Sequence, residues 1–378
     1  MCSFRMSKPI FWFGHGVRLA GATHLLEPLL ENYPLPALFS WAGADLLDSS
    51  HSSYIGRAGT YGQRAANFAL EQADNVIAIG TRLSPPMIGY NPTELFRGKK
   101  VTVVDIDMLE STKFGGLANS ITCDAGDYIR NFSSSLDVSV GWLAYCRALV
   151  KRYPWLEESQ GTSYRFLRTL EKFLRPDEVI VTDTGTALIG AHQVLRLKPP
   201  QRLITTTGLG EMGFGLPGAI GAHYATGKRV ICLNTDGGIM MNLQELQTAS
   251  TLPIKIVVFN NDGYLMIKHT QNAMFAGRKT AVDATSGVSI PSFAALARAF
   301  GYGYSIAYPD QQYSYWPRLL MGDGPCIIEV KMDPEQPLVP KLAAIKHEDG
   351  TITSPPLHQL SPLVQPPEPF ESWIVRSA

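Results

Sequence analysis

No apolar run in the 378 residues approaches the ~20 that a membrane-spanning helix needs, so a membrane-embedded role is not expected. The opening residues also lack the layout of a secretory signal peptide. An excess of one charge is missing too: 33 Lys and Arg stand against 33 Asp and Glu, scattered rather than clustered. Without a basic patch, nucleic acid and anionic membranes are poor candidate partners. The five cysteines, Cys2, Cys123, Cys146, Cys232 and Cys326, are widely spaced and odd in number. They spell neither a disulfide framework nor a Cys-x-x-Cys metal site, which favours a reducing compartment, and the cytoplasm is the expected location. His192, His223 and His269 form no triad or metal cluster with acidic neighbours. The dinucleotide fingerprint is incomplete: Gly14-x-Gly16 follows the first apolar run, but a third glycine comes only at Gly21. A nucleotide-binding oxidoreductase built on that turn is therefore disfavoured.

What is present is ample core material, with 45% apolar and 17% charged residues. A chain of this length exceeds the roughly 250–300 residues that one core supports, so two domains are expected. Short apolar runs at Lys8–Phe13, Ala37–Phe39, Asn75–Ile79 and Lys100–Val104 alternate with helix-compatible stretches such as Ala22–Asn32. That rhythm indicates a parallel, doubly wound sheet. Asp105 and Asp107 close the last run and suit helix capping better than a ribose contact. The glycine-rich loop Gly56–Gly62 offers Thr60 and Tyr61 to a ligand, though turn chemistry explains it as well. A serine-rich stretch, Phe132 to Ser139, marks a boundary, and Trp142–Arg152 has helical spacing suited to packing across the junction. The expected organisation is a first domain over residues 1–137, a linker over 138–162, a second domain over 163–332 and a proline-rich tail over 333–378 with little regular structure. The fold class is α/β, with two doubly wound domains of mainly parallel sheets flanked by helices.

The chemistry concentrates in the second domain. An apolar strand, Arg229–Leu233, runs into Asp236-Gly237-Gly238, and a second strand, Ile254–Phe259, ends in Asn260-Asn261-Asp262-Gly263. A carboxylate and two glycines between a strand and a helix suit a metal-bridged phosphate. The glycines admit close backbone approach, Asp236 can hold a divalent cation, and the Asn261 amide oxygen can reach the same cation from the neighbouring strand. A helix cap and an ordinary turn would use the same residues. A third strand, Glu178–Thr182, ends in Asp183-Thr184-Gly185-Thr186, where backbone N–H groups and the Thr186 hydroxyl can take a diphosphate. The run Gly208 to Ala219 contains glycine at 208, 210, 213, 215 and 218, which suggests backbone bending closely around a flat ligand. Met240 and Met241 read as core and turn residues. Residues 272–287 read as a polar loop that orders on cofactor binding.

The Asp236 to Asn261 passage resembles the thiamine diphosphate signature, Gly-Asp-Gly followed some two dozen residues later by Asn-Asn. The two residues stand twenty-five positions apart, with Thr235 in place of the first glycine. The stretches Gly43–Leu46, Gly56–Asn67 and Ile79–Leu83 are similar to the central domain of acetolactate-synthase-like enzymes. The resemblance runs from about Lys8 to the tail. It implies thiamine diphosphate and Mg²⁺ as cofactors, with Asp236, Asn261 and the Gly263 carbonyl holding the metal. It further implies that Thr184, Gly185, Thr186, Gly237 and Gly238 surround the diphosphate; Tyr264, just beyond Gly263, is expected either to face the substrate or to cap the diphosphate end. By the same resemblance, the Gly210 carbonyl bonds the aminopyrimidine, and Met212 sits beneath the cofactor, where an unbranched thioether fits. FAD, which the family's central domain sometimes holds without redox use, is a lesser expectation because Ser84-Pro85-Pro86 replaces further polar or basic residues.

The implied reaction is decarboxylation of a 2-oxo acid such as pyruvate with transfer of the acyl unit, the chemistry that opens branched-chain amino acid biosynthesis. In the family, a glutamate on a separate pyrimidine-binding domain activates the cofactor. No α/β unit precedes Lys8 to carry it, and Glu211 is a poor substitute between Gly210 and Met212. The expectations are a homo-oligomer, a separate pyrimidine-domain chain as partner, or both, with little turnover by this chain alone. The alternative is a non-catalytic cofactor-binding or scaffolding remnant of such an enzyme.

Overall fold

A computed structural model describes residues 7–133, 136–155, 161–308 and 315–377; Cys2, part of the serine run (134–135) and part of the expected linker (156–160) lie outside them. The chain divides into two units, Met1–Trp155 with Val339–Ala378, and Leu156–Leu338.

The first unit is built on strands β1 (Pro9–Phe13), β2 (Ala37–Phe39), β3 (Tyr54–Gly56), β4 (Asn75–Ile79), β5 (Lys100–Asp105) and β6 (Asn119–Thr122). They form one sheet in the order β3-β2-β1-β4-β5-β6, parallel throughout. Successive side chains point to opposite faces, so the sheet feeds two cores. Ile10, Trp12, Val76 and Ala78 pack with the helices Arg64–Gln72 and Trp142–Arg152, and Phe11, Phe13, Ile77 and Ile79 with the helices Leu26–Asn32 and Ala125–Arg130. The helix expected over Ala22–Asn32 is broken into a 3₁₀ turn, Thr23–Leu25, and Leu26–Asn32. Pro28 lacks an N–H and fits only a first helical turn, so the helix must restart just before it.

The apolar face of Trp142–Arg152, with Trp142, Tyr145, Cys146 and Leu149, completes the first unit's core. The proline-rich segment packs onto the same unit. Arg64 Nη1 donates to the Leu360 carbonyl at 2.8 Å, Asn67 Nδ2 to that of Leu357 at 2.7 Å and the Tyr145 hydroxyl to that of Glu368 at 2.7 Å. A terminal helix, Phe370–Ser377, sets Phe370 edge-on to Trp142.

The second unit repeats the plan with β7 (Val179–Thr182), β8 (Arg202–Thr205), β9 (Val230–Thr235), β10 (Ile254–Asn260), β11 (Gly303–Ala307) and β12 (Cys326–Lys331). Their order is β11-β12-β10-β9-β7-β8, again parallel. Both units therefore belong to the doubly wound α/β class. Strands β9 and β10 are buried along their whole length, as the centre of a sheet covered on both faces requires. The chain leaves β7 for β8 on one side and returns to β9 on the other. The gap between the carboxyl ends of β7 and β9 is thus a topological switch point, where open α/β sheets bind their ligands. No helix among the described residues is long and apolar enough to cross a membrane.

Candidate functional site

At the end of β9 the backbone passes from strand into helix at Asp236, which is fully buried. Asp236 Oδ2 accepts the backbone N–H of Asn261 at 2.9 Å and that of Gly263 at 3.1 Å, while Oδ1 accepts that of Gly237 at 2.9 Å. One carboxylate thereby ties the ends of β9 and β10 together. Burial pushes its pKa up to about 6, although these three N–H groups favour the charged form. A cation beside it would reverse that penalty.

Asn261 supplies the complementary observation. It is 2% exposed, and its Oδ1 is buried without a hydrogen-bond partner, while its Nδ2 makes a long 3.4 Å contact to Asp236 Oδ1. A buried acceptor left unpaired costs about 1–3 kcal/mol, so such an atom in a native fold asks for a ligand. Among the described residues no group of three or more His, Cys, Asp or Glu side chains could hold a metal. One carboxylate and one amide oxygen are too few for a metal on its own. They suit Mg²⁺, which binds through one or two carboxylates and completes its shell with phosphate oxygens and water.

The neighbouring pieces converge on the same point. Gly185 has φ +67° and opens the helix Thr186–Val194; a Cβ there would lie 3.8 Å from Thr235 Cγ2 and 3.9 Å from Met266 Cγ. A Cβ on Gly210, itself at φ +67°, would lie 3.9 Å from Thr184 Oγ1. A Cβ on Gly237 would overlap the Tyr264 ring at 2.3 Å and approach Met212 Cε at 3.6 Å. The structure thus gathers Thr184, Gly185, Thr186, Gly210, Met212, Gly237, Gly238, Tyr264, Asp236, Asn261 and Gly263 around the carboxyl ends of β7, β9 and β10.

The replaced signature glycine has a local explanation. Thr235 has ordinary extended angles, φ −114° and ψ 158°, so no glycine is required, and its Oγ1 caps the helix by accepting the Gly238 N–H at 3.1 Å. Glu211 is exposed, and its Oε2 accepts the Thr206 hydroxyl at 2.6 Å, which holds its carboxyl below the usual range. It is an ionised surface acceptor rather than a protonated donor to a ring nitrogen. The helix Leu265–Met274 runs into residues 272–287, where Asp283 and Ser286 form a capping box. Asp183, read only as part of a strand end, turns out to be central. Fully buried, it accepts the N–H of Thr184 at 2.7 Å and those of Gly213 and Gly215 at 2.9 Å each. Its only sequence signal is a carboxylate at a strand terminus.

The first unit's glycines act differently. A Cβ on Gly14 would sit 2.2 Å from the Gly80 carbonyl oxygen and one on Gly16 2.7 Å from Gly80 Cα, so these residues serve contact between the β1 and β4 turns. Asp107 Oδ1 caps a helix by accepting the Leu109 N–H at 2.8 Å, and Thr60 Oγ1 donates to the Pro86 carbonyl at 3.2 Å.

Residues 183–330 match the family described as thiamine pyrophosphate enzyme, C-terminal TPP binding domain, and residues 5–132 match thiamine pyrophosphate enzyme, central domain. The acetolactate synthase isozyme 2 large subunit of Escherichia coli (strain K12) is 32% identical, across 89% of this chain and 62% of that protein. The acetolactate synthase large subunit of Lactococcus lactis subsp. lactis (strain IL1403) is 28% identical, across 91% of this chain and 61% of its own length. That of Parasynechococcus marenigrum (strain WH8102) is 31% identical, across 85% and 54%. The chain spans less than two thirds of each of these relatives. It belongs to the thiamine pyrophosphate enzyme family, carries that family's central and C-terminal TPP-binding domains, and is similar to acetolactate synthase large subunits along most of its length.

Proposed function

We propose that this chain binds thiamine diphosphate through Mg²⁺ and provides the diphosphate-holding part of an acetolactate-synthase-like centre. That centre decarboxylates a 2-oxo acid such as pyruvate and passes the acyl unit to a second carbonyl compound. When bound, thiamine diphosphate supplies the electron sink for such chemistry. Asp236, the Asn261 amide oxygen and the Gly263 carbonyl hold the metal. The Thr186 hydroxyl, with the backbone at Thr184, Gly185, Gly237 and Gly238, grips the diphosphate, and Tyr264 closes its end. Gly210 and Met212 receive the pyrimidine. The observation that carries this reading is the orphaned, buried Asn261 Oδ1 beside the fully buried Asp236.

The carboxylic acid that must meet the pyrimidine nitrogen is not Glu211, which is exposed and held ionised; a pyrimidine-binding domain supplies it. FAD has no part in this reading, since Ser84-Pro85-Pro86 stands where further polar or basic residues would serve it. Calorimetric titration with thiamine diphosphate, with and without Mg²⁺, tests the proposal: metal-dependent binding that Asp236→Ala abolishes is expected. Absent or metal-independent binding, or no effect of Asp236→Ala, would overturn it. Adding a pyrimidine-domain protein should then release CO₂ from pyruvate; persistent silence would favour a cofactor-binding scaffold without turnover.

A further inference from the structure

One strand beyond the metal-holding turn lies a carboxylate that the cofactor reading does not use. Glu329 sits on β12, 4% exposed, in register with Val258 of β10. Its Oε1 accepts Asn260 Nδ2 at 2.6 Å and lies 2.7 Å from Lys331 Nζ; its Oε2 accepts the Tyr304 hydroxyl. Asn260 Oδ1 in turn accepts the backbone N–H of Asp262 at 3.0 Å. Asp262 has φ +58°, a left-handed conformation that a non-glycine residue holds only when its surroundings impose it. The residues on either side of it, Asn261 and Gly263, are those that meet Asp236.

The amide of Asn260 has a direction, and Glu329 sets it. An ionised carboxylate only accepts, so Nδ2 must face Glu329 and Oδ1 is left for the Asp262 N–H. In the reversed amide, oxygen would face the carboxylate and Nδ2 the N–H of Asp262, losing both bonds. Burial opposes charge on Glu329, but hydrogen bonds from Lys331, Tyr304 and Asn260 outweigh it and keep the carboxyl below its ordinary range.

We propose that Glu329 is a positioning residue for the metal-holding turn, acting through Asn260 to fix the backbone from which Asn261 and Gly263 meet Asp236. The inference rests on the Mg²⁺ and diphosphate reading for its purpose, while the relay itself lies wholly within this chain.

The test compares the wild-type chain with Glu329→Gln, Asn260→Ala and Tyr304→Phe. Two quantities are measured: amide hydrogen exchange at Asp262 without ligand, and the Mg²⁺ concentration that half-saturates thiamine diphosphate binding. Glu329→Gln frees the Asn260 amide to reverse, so Asp262 exchange should quicken and the Mg²⁺ requirement rise about tenfold, the lower end for loss of an outer-shell partner. Asn260→Ala removes the relay while leaving Glu329 paired with Lys331 and Tyr304, and should behave alike even if Glu329→Gln does not fold. Tyr304→Phe removes a donor to the same carboxylate without reversing Asn260, so both quantities should stay near wild type. Unchanged Asp262 exchange in Asn260→Ala, or an equal shift in Tyr304→Phe, overturns the proposal; the latter would mark a general loss of packing. A wild-type chain that binds no thiamine diphosphate with Mg²⁺ sinks the cofactor reading alone, and Asp262 exchange still decides the relay.

Discussion

Asp183, at the end of β7, accepts the backbone N–H of Gly215 at 2.9 Å, across 32 residues of chain. The same oxygen accepts that of Gly213, and a Cβ on Gly238 would come within 2.6 Å of its other oxygen. One buried carboxylate therefore ties the Thr184–Thr186 turn to the glycine-rich loop and packs closely against the start of the helix after β9.

Replacing it should cost both stability and cofactor affinity. Asp183→Ala leaves the buried Gly213 and Gly215 N–H groups unpaired, each at about 1–3 kcal/mol. A fall of about 3 kcal/mol in unfolding free energy, read from urea midpoints, is expected. Thiamine diphosphate affinity should drop further than affinity for Mg²⁺ with inorganic diphosphate, since the loop serves the pyrimidine side. Equal losses for both ligands would show that Asp183 merely supports the fold.

Two glycines of the second unit should respond oppositely to one methyl group. At Gly263, φ is +155° and a Cβ would lie 2.0 Å from the Val282 carbonyl oxygen, so backbone must move. Gly263→Ala should destabilise by more than about 3 kcal/mol or prevent folding. At Gly208 a Cβ would meet nothing within 4 Å. Gly208→Ala should stay within about 0.5 kcal/mol of wild type in the same denaturation measurement. Comparable melting of the two variants would refute this contrast.

The sequence disclosed these site positions unevenly, for physical reasons. Strands β9 and β10 are buried on both faces, so they read as unbroken apolar runs and delivered Asp236 and Asn261 to their ends. The edge strands β6 and β11 are short and only partly buried, and Asn119–Thr122 carries no apolar alternation, so neither was visible. Gly14-x-Gly16 was readable as a turn, but its close approach to Gly80 joins residues over sixty positions apart. The Asp183 clasp was hidden likewise: no periodicity links a carboxylate to amides 30 and 32 residues on. Spacing exposes what an element buries, and leaves unseen what two distant loops share.

The departure at Thr235 predicts a small, signed effect. As the helix cap, Thr235→Ala should cost about 1 kcal/mol, whereas Thr235→Gly, which restores the signature, should lose only a few tenths from the cap. Thiamine diphosphate affinity should be preserved in Thr235→Gly, because the backbone angles at this position suit any residue. A large loss of affinity there, seen by calorimetry, would mean that the threonine side chain itself meets the cofactor.

Asp236 makes metal binding and acid compete for one carboxylate. Burial raises its pKa from 3.8 to about 6 in the folded chain. Without a cation, its contribution to stability is full below the unfolded value near 4 and is lost as pH rises through the folded value near 6. The unfolded chain releases its proton first, so stability falls across that window by about 3 kcal/mol, taken as the difference between wild type and Asp236→Asn. Bound Mg²⁺ favours the ionised form and should reverse the trend: with thiamine diphosphate and Mg²⁺ present, the protective effect should weaken as pH falls below about 6. Melting temperatures across pH 4 to 8, with and without the pair of ligands, provide the check. The slopes of the two curves between pH 4 and 6 should differ in sign for the wild type and coincide for Asp236→Asn. Parallel wild-type curves would mean that the cation does not meet this carboxylate.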